Sequence, residues 1–197
     1  MRLPVWKRNS MAAQQMVDTR QAAQTGSARE MFPRLIERYE PALRRLAGSY
    51  LERAADREDL FQDIAIALWR AMPKFRGESS ERTWVYRIAH NVAISSSAKG
   101  RRVGRTEEYI PAVFDRPSAA PDAERELLHA ERRRLLADSI HNLPMIDKQI
   151  ILSHLESLSY AEIVQVTGLS ETAVASRLTR IREKLKETIR GKEVGGQ

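Results

Sequence analysis

The chain has 197 residues, of which 42% are hydrophobic and 30% are charged, and its formal net charge is +7. This hydrophobic content is sufficient for buried cores, and the basic balance is typical of proteins that contact nucleic acid. The absence of cysteine excludes disulfides, thiol catalysis and cysteine-ligated zinc, and the sequence contains no apolar run long enough to span a membrane.

Residues 1–26 are predicted to form a mobile basic extension, because they lack a continuous apolar stripe. The segment Met1–Ser10 is charged, but it is not followed by the apolar region that a secretory signal peptide requires. The sequence therefore predicts a cytoplasmic protein, and the lack of cysteine is compatible with that reducing compartment.

A first helical domain is predicted for residues 27–97. Ser27 and Glu30 form a capping-box pattern, after which apolar residues recur at helical spacing as far as Leu51. Pro41 lies inside this pattern and predicts a kink or a break into two shorter helices, because proline cannot donate the helical hydrogen bond.

The next helix is predicted to begin near Asp56 and Asp59, because acidic side chains are stabilised at the positive end of a helix. Its sequence is apolar on most of the helix circumference, and Pro73 ends the pattern. A helix of this kind either lies at the centre of a bundle or docks on another protein.

Glycine and serine predict a loop at Phe75–Ser80, with Ser79 or Ser80 as the cap of the following helix. That helix is predicted to run from about residue 81 to residue 97. Trp84 lies on its apolar stripe, where a core position and a base-stacking position are equally compatible with the spacing.

The sign of the net charge changes along this first domain. Acidic residues outnumber basic ones in Glu52–Asp63, whereas Trp84–Arg105 contains basic charges only. An acidic surface repels phosphate, and a basic surface attracts it. The contrast therefore predicts two surfaces with different partners.

The helical periodicity is lost over residues 98–121, which gather glycine, proline and charge. A structureless segment of this length is uncommon inside one compact domain, so it is predicted to be a linker between two domains. A second helical domain is predicted for residues 122–191, followed by a short tail at residues 192–197.

The end of the second domain has the pattern of a helix-turn-helix. Ser159 and Glu162 form a capping box for a short helix, Gly168 suits a left-handed turn, and Ser170 and Glu171 suit the start of a longer helix. One apolar face then recurs at Val174, Leu178, Ile181, Leu185 and Ile189. The basic side chains between these positions favour DNA binding by the second helix, although an ordinary helical hairpin has the same spacing.

The order of these features resembles that of bacterial RNA polymerase sigma factors of the sigma-70 family, in their extracytoplasmic-function (ECF) type. The matching stretches are DREDLFQDIAIALWRAMPKF (Asp56–Phe75), RGESSERTWVYRIAHNVAI (Arg76–Ile94) and LPMIDKQIILSHLESLSYAEIVQVTGLSETAVASRLTRIREKLKE (Leu143–Glu187). The resemblance implies an all-α fold of two small helical domains, sigma domain 2 and sigma domain 4, joined by a flexible linker.

The resemblance also implies three sets of contact residues. The core polymerase would be contacted by Asp59, Leu60, Gln62, Asp63 and Trp69. The −10 promoter strand would be contacted by Lys74, Arg76, Ser79, Ser80, Arg82, Trp84, Arg87, Asn91, Arg101 and Arg102. The −35 duplex would be contacted by Glu171, Thr172, Ser176, Arg177, Arg180 and Lys184, with Arg177 as the candidate for bidentate guanine readout.

The implied partners are core RNA polymerase, promoter DNA and an anti-sigma factor, without a cofactor, a metal or a small-molecule substrate. An enzyme is not expected, because the four histidines are scattered and no glycine-rich phosphate loop is present. Two alternatives remain open. The chain could be a stand-alone helix-turn-helix regulator, or a sigma-like adaptor that binds polymerase without reading DNA.

Overall fold

The computed structural model of the protein describes residues 30–100 and 123–194, and every regular element within these ranges is helical. The helices are α1 (30–50), α2 (Ala54–Ala71), α3 (Glu81–Gly100), α4 (Ala123–His141), α5 (Met145–Leu155), α6 (Tyr160–Thr167) and α7 (Glu171–Val194). The predicted all-α fold is confirmed. The predicted extension over residues 1–26, its capping residue Ser27 and the linker beyond Gly100 lie outside the described residues.

Helix α1 passes through Pro41 as one element, so the predicted break into two shorter helices is wrong. Pro41 is exposed, whereas its neighbours Leu43 and Leu46 are buried in the core. An interior proline costs about 3 kcal/mol, and each fully buried leucine contributes about 1.5–3 kcal/mol. Packing of the inner face therefore outweighs the hydrogen bond that is lost on the outer face.

Helices α2 and α3 pack against each other and complete the first bundle with α1. Helix α2 begins at Ala54, so Asp56 lies in its first turn and Asp59 does not, contrary to the prediction for Asp59. A 3-10 turn over Met72–Lys74 carries Pro73 and ends the helix as expected. Helix α3 reaches Gly100, which makes the first residues of the predicted linker helical.

The second half forms a bundle in which α4, α5 and α6 all contact the long helix α7. Pro144 lies between α4 and α5 as the N-cap residue of α5, and it cannot continue a helix as a hydrogen-bond donor because it has no backbone N–H. The connection after α5 is tight, and Ser157 adopts a left-handed conformation there with φ 63°. These short connections keep consecutive helices close together around one core.

The two halves are packed against each other in this structure. One connected apolar core includes buried residues of both, from Leu35 in α1 to Leu185 in α7. Helix α3 contacts both α5 and α6, so the junction lies along the helix that begins at the predicted −10 loop. Across the described ranges, no helix has both the length and the apolar character needed to cross a lipid bilayer.

Candidate nucleic-acid interface

Helices α6 and α7 have the local geometry of a helix-turn-helix. The Ser159 side chain and the Glu162 side chain cap each other's backbone N–H groups, and Gly168 has φ 73° in the left-handed region. The N–H of Ala173 donates to Ser170 Oγ at 3.3 Å and caps α7. Each cap of this type contributes about 1 kcal/mol, so the turn that sets the angle of α7 is specified locally.

The apolar face of α7 is buried as predicted, with Val174, Leu178, Ile181 and Leu185 in the core and Ile189 partly exposed. The opposite face carries the predicted −35 contacts. Glu171, Thr172, Ser176, Arg180 and Lys184 are all exposed. This arrangement leaves the polar face of a helix available to a major groove, which accepts an α-helix.

Arg177 is the exception among the −35 candidates, because its charge is already paired. Its Nη1 lies 2.8 Å from Asp147 Oδ1 in the first turn of α5, and its side chain is only 32% exposed. One guanidinium has five N–H donors in a fixed plane. The ion pair therefore orients the side chain without using all of its hydrogen-bonding capacity.

The predicted −10 residues fall into three groups. Lys74, Arg76, Arg87 and Asn91 are exposed, and Ser79 is partly exposed. Ser80 and Arg82 lie at the N-terminal end of α3, where Ser80 Oγ accepts from the Thr83 N–H at 3.1 Å and caps the helix. Arg101 and Arg102 lie outside the described residues.

Trp84 does not belong to the exposed set. It is 6% exposed, and its ring centroid lies 4.9 Å from that of Phe75. A side chain buried in this way has no free face on which a DNA base could stack. In this conformation Trp84 therefore has the core position that its spacing with Ile88 also allowed.

The predicted polymerase contacts on α2 also include both exposed and buried side chains. Asp59, Gln62 and Asp63 are exposed, but Leu60 is 1% exposed and packs in the core. Leu60 cannot touch a docked partner directly in this conformation; it supports the helix that carries the other three. Trp69 is 37% exposed, and its ring meets Phe32 edge to face with 5.1 Å between centroids.

The sequence analysis missed one carboxylate that joins the two halves. Glu162 Oε1 accepts from Ser80 Oγ at 2.9 Å and from Thr83 Oγ1 at 2.9 Å, and Glu162 Oε2 accepts from Arg82 Nη2 at 3.1 Å. The same carboxylate accepts from the Ser159 N–H at 2.9 Å. The capping-box pattern revealed only this last contact.

These contacts determine the charge state of Glu162. Partial burial opposes ionisation, but hydrogen bonds from the Ser159 backbone and from the hydroxyls of Ser80, Thr83 and Ser159 outweigh it and lower the Glu162 pKa to about 2. The carboxylate is therefore ionised at neutral pH. It places a negative charge against the N-terminal end of α3, where a helix favours anions.

Further polar contacts cross between the halves. Arg45 Nη2 donates to Glu156 Oε1 at 2.8 Å, and His141 Nε2 lies 3.1 Å from Glu52 Oε1. Another contact is buried: His90 Nε2 lies 3.2 Å from Ser153 Oγ. The other ring nitrogen of His90 lies 2.9 Å from the Tyr50 hydroxyl.

Burial dominates the behaviour of His90. Its side chain is fully buried, and the loss of solvation lowers its pKa from 6.5 to about 3. The imidazole is therefore neutral at physiological pH. Among the described residues, no group of three or more potential metal-ligating side chains is found.

Family models match both halves of the chain. Sigma-70 region 2 matches residues 35–103, and Sigma-70, region 4 matches residues 133–185. The first match contains α2, α3 and the loop between them, and the second contains the helix-turn-helix. The two candidate DNA-contacting regions therefore lie within the two matched regions.

Curated relatives extend this similarity over most of the chain. The chain is 35% identical over 170 residues to the ECF RNA polymerase sigma-E factor of Haemophilus influenzae, with 82% of this chain and 88% of the relative covered. It is 33% identical over 161 residues to the ECF RNA polymerase sigma-E factor of Escherichia coli strain K12, with 78% and 84% covered.

Two solved structures share the fold. The structure of CnrH in complex with the cytosolic domain of CnrY has a TM-score of 0.61 and 24% identity, and covers 88% of this chain and 96% of that chain. The sigma factor RpoE in complex with the anti-sigma factor NepR, from Bartonella quintana, has a TM-score of 0.62 and 23% identity, with 82% and 98% covered. At these identities the likeness concerns the fold alone. The family models and the curated relatives go further: this chain belongs to the ECF sigma factors of bacterial RNA polymerase.

Proposed function

We propose that this sigma factor directs promoter-specific initiation by dividing three tasks among α2, α3 and α7. Helix α2 binds core RNA polymerase, the loop and helix at residues 74–91 capture the −10 strand, and α7 reads the −35 duplex. The observation that carries the proposal is the buried apolar stripe of α7 from Val174 to Leu185, opposite an exposed polar and basic face. We also propose that the two domains span residues 27–97 and 122–191, and that the protein is not an enzyme.

The α2 surface supports a protein partner more than a nucleic acid. Asp59, Gln62 and Asp63 form an exposed polar and acidic stretch, and the large apolar side chains of Ile66 and Trp69 are also exposed. Exposed apolar groups beside acidic groups favour a protein surface, and the carboxylates repel phosphate. Core polymerase is the partner that this surface fits in a sigma factor.

The −10 assignment rests on the charge and position of the polar side chains at the start of α3. Lys74 and Arg76 precede the helix, and Arg87 and Asn91 lie one helical turn apart on its exposed surface. Capture of an unpaired strand needs a basic track for the backbone and polar groups for the bases. Opening the duplex costs a few kcal/mol for each unstacked base, which such contacts offset.

We also propose an anti-sigma factor as a partner and a cytoplasmic location, where core polymerase is found. The structural neighbour RpoE is in complex with the anti-sigma factor NepR. An anti-sigma factor would compete with polymerase or DNA for one of the surfaces described above. The acidic and apolar α2 surface and the basic α7 surface would attract different segments of such a partner.

The test is reconstitution with purified core polymerase and a library of double-stranded promoters. We expect specific initiation, and we expect Arg177→Ala to reduce it by about 5- to 150-fold, since one bidentate guanine contact is worth about 1–3 kcal/mol. Arg190→Ala is the matched control, because Arg190 is an exposed arginine near the end of the same helix. Core binding should be unchanged in both variants.

The same experiment separates the two alternatives. A stand-alone regulator would bind duplex DNA without polymerase and would not direct initiation. A sigma-like adaptor would bind core polymerase, and the promoter library would give no specific transcript. If Arg177→Ala and Arg190→Ala had the same small effect, the assignment of Arg177 to guanine readout would be wrong.

A further inference from the structure

The N-terminal end of α3 is occupied in this structure by a carboxylate from the other half of the chain. We propose that Glu162 is an internal competitor of the promoter strand, so that the helix-turn-helix masks the Ser80 and Arg82 donors of the −10 surface in the free protein. The inference rests on the proposed function, because it takes Ser80 and Arg82 to be strand contacts. Its chemical basis is that a carboxylate and a DNA phosphate are both anions that bind hydroxyl and guanidinium donors.

The geometry supports competition more than incidental contact. Three donors within four residues at the start of α3 converge on one carboxylate at 2.9–3.1 Å: the Ser80 and Thr83 hydroxyls and the Arg82 guanidinium. The Glu162 side chain is 20% exposed and that of Arg82 is 40% exposed. A phosphate that bound the Ser80 hydroxyl and Arg82 Nη2 would have to displace Glu162 from these two donors.

Glu162 is held in place from its own side as well. The Ser159 N–H and hydroxyl both donate to Glu162 Oε2, at 2.9 and 3.0 Å, as parts of the capping box. The carboxylate is therefore held at the N-terminal end of α6, independently of its contacts with α3. A preorganised ligand loses little conformational freedom on binding, which strengthens the contact between the halves.

The other contacts across the junction favour the same closed arrangement. Arg45 pairs with Glu156, and His90 is linked to Ser153 inside the shared core. Binding of α2 to polymerase and of α7 to DNA would place the two halves at separate sites on a large assembly. We infer that holoenzyme formation separates Glu162 from α3 and releases the Ser80 and Arg82 donors for the strand.

Glu162→Gln is the most selective variant, because glutamine also completes a capping box and α6 keeps its cap. The neutral amide would lose the ion pair with Arg82. As a second variant, Thr83→Val removes one donor to Glu162 and keeps the shape of a fully buried side chain that we do not assign to DNA. Glu37→Gln is the control: it makes the same change in charge at an exposed position of α1.

Closure is measured in the full chain without polymerase or DNA. The protein has no cysteine, so paramagnetic labels can be attached specifically at Glu78→Cys and Gln165→Cys, two exposed positions on opposite sides of the junction. We expect one narrow distance distribution for the parent and for Glu37→Gln. We expect a longer and broader component for Glu162→Gln and Thr83→Val. A parent distribution that is already broad, or that does not change in Glu162→Gln, would overturn the inference.

Strand binding is measured with a short fluorescent single strand of randomised sequence at low ionic strength. We expect Glu162→Gln to raise the affinity of the free protein by about three- to tenfold, the range for losing one partly exposed charged contact. The increase should disappear in the holoenzyme, where the halves are already separated. An equal increase in the holoenzyme or in Glu37→Gln would indicate a simple charge effect and contradict masking. Failure of initiation in the reconstituted system would instead contradict the proposed function, and the label distances do not depend on it.

Discussion

Two arginines that we assign to DNA contacts each hold a carboxylate in this structure, but the carboxylates come from different places. Arg177 pairs with Asp147, and both residues belong to the second half of the chain. Arg82 pairs with Glu162, and this contact joins the two halves. Separation of the halves would break the second pair and leave the first intact.

This difference indicates opposite roles for two similar ion pairs. A carboxylate that moves together with its arginine restricts the guanidinium to one orientation, and the remaining N–H groups stay available to a base. A carboxylate that comes from another domain occupies the guanidinium until that domain leaves. Asp147 is therefore a positioning residue for the −35 contact, whereas Glu162 is a competitor at the −10 contact.

The largest expected effect is a loss of stability at acidic pH, caused by His90, which lies at the contact between the halves. Its pKa in the folded protein is about 3, below the usual 6.5, so the unfolded chain takes up the proton first. The free energy of unfolding therefore falls as pH decreases from 6.5 toward 3, by between about 1 and 2 kcal/mol by pH 5. Urea titrations across this pH range measure the slope, which should be smaller in His90→Gln.

The contribution of His90 to the pH dependence must be distinguished from those of other titratable groups near the junction. Burial also lowers the pKa values of His141, beside Lys148 and Glu52, and of His154, beside Arg182, so both contribute with the same sign. Glu162 contributes only at the acidic end of this range. Its lowered pKa means that its stabilisation is lost only as pH falls from about 4.5 toward 2. An unchanged slope in His90→Gln would assign the acid effect to the other two histidines.

A smaller effect is expected for the Arg177–Asp147 pair, when the carboxylate of Asp147 is replaced. Asp147→Asn keeps the size of the side chain and removes the charge that orients Arg177. We expect −35-dependent initiation to fall by about three- to tenfold, since a charged hydrogen bond is worth about 1 kcal/mol or more. The measurement is initiation at promoters with and without an altered −35 element.

A double-mutant cycle distinguishes positioning from general stabilisation of the fold. If Asp147 acts through Arg177, Asp147→Asn should add little to the loss already caused by Arg177→Ala. Additive losses would show that Asp147 supports α5 independently of the base contact. An increase in initiation in Asp147→Asn would mean that the carboxylate sequesters Arg177, which would contradict the positioning role.

The local features of the fold were predictable because they depend on neighbouring residues. The Ser159–Glu162 capping box, the left-handed Gly168 and the buried stripe of α7 all follow from spacing within a few turns of helix. The break predicted at Pro41 was wrong because the pattern shows the cost of a proline in a helix and does not show the packing that offsets it. Leu60 and Trp84 share this limit, since resemblance assigns a contact to a position without showing which way the side chain faces.

The residues of the candidate site were predictable from the sequence, but the carboxylates that pair with its arginines were not. Glu162 is far in sequence from Ser80 and Thr83, and a capping-box pattern gives no sign that the same carboxylate has a second set of partners. Asp147 has the ordinary position of an acidic residue in a first turn. Only the packing of the two halves and of α5 on α7 brings these carboxylates to the arginines.

The smallest expected effect comes from Ser159, which belongs to the cap and to the junction at once. Ser159→Ala removes the hydroxyl that accepts from the Glu162 N–H and donates to its carboxylate. We expect the free energy of unfolding to fall by about 0.5–1 kcal/mol, the usual loss for an exposed cap. The label distance between Glu78→Cys and Gln165→Cys should lengthen less than in Glu162→Gln, because the charge that faces Arg82 remains. A Ser159→Ala protein that opened as fully as Glu162→Gln would show that orientation of the carboxylate, and not its charge, holds the two halves together.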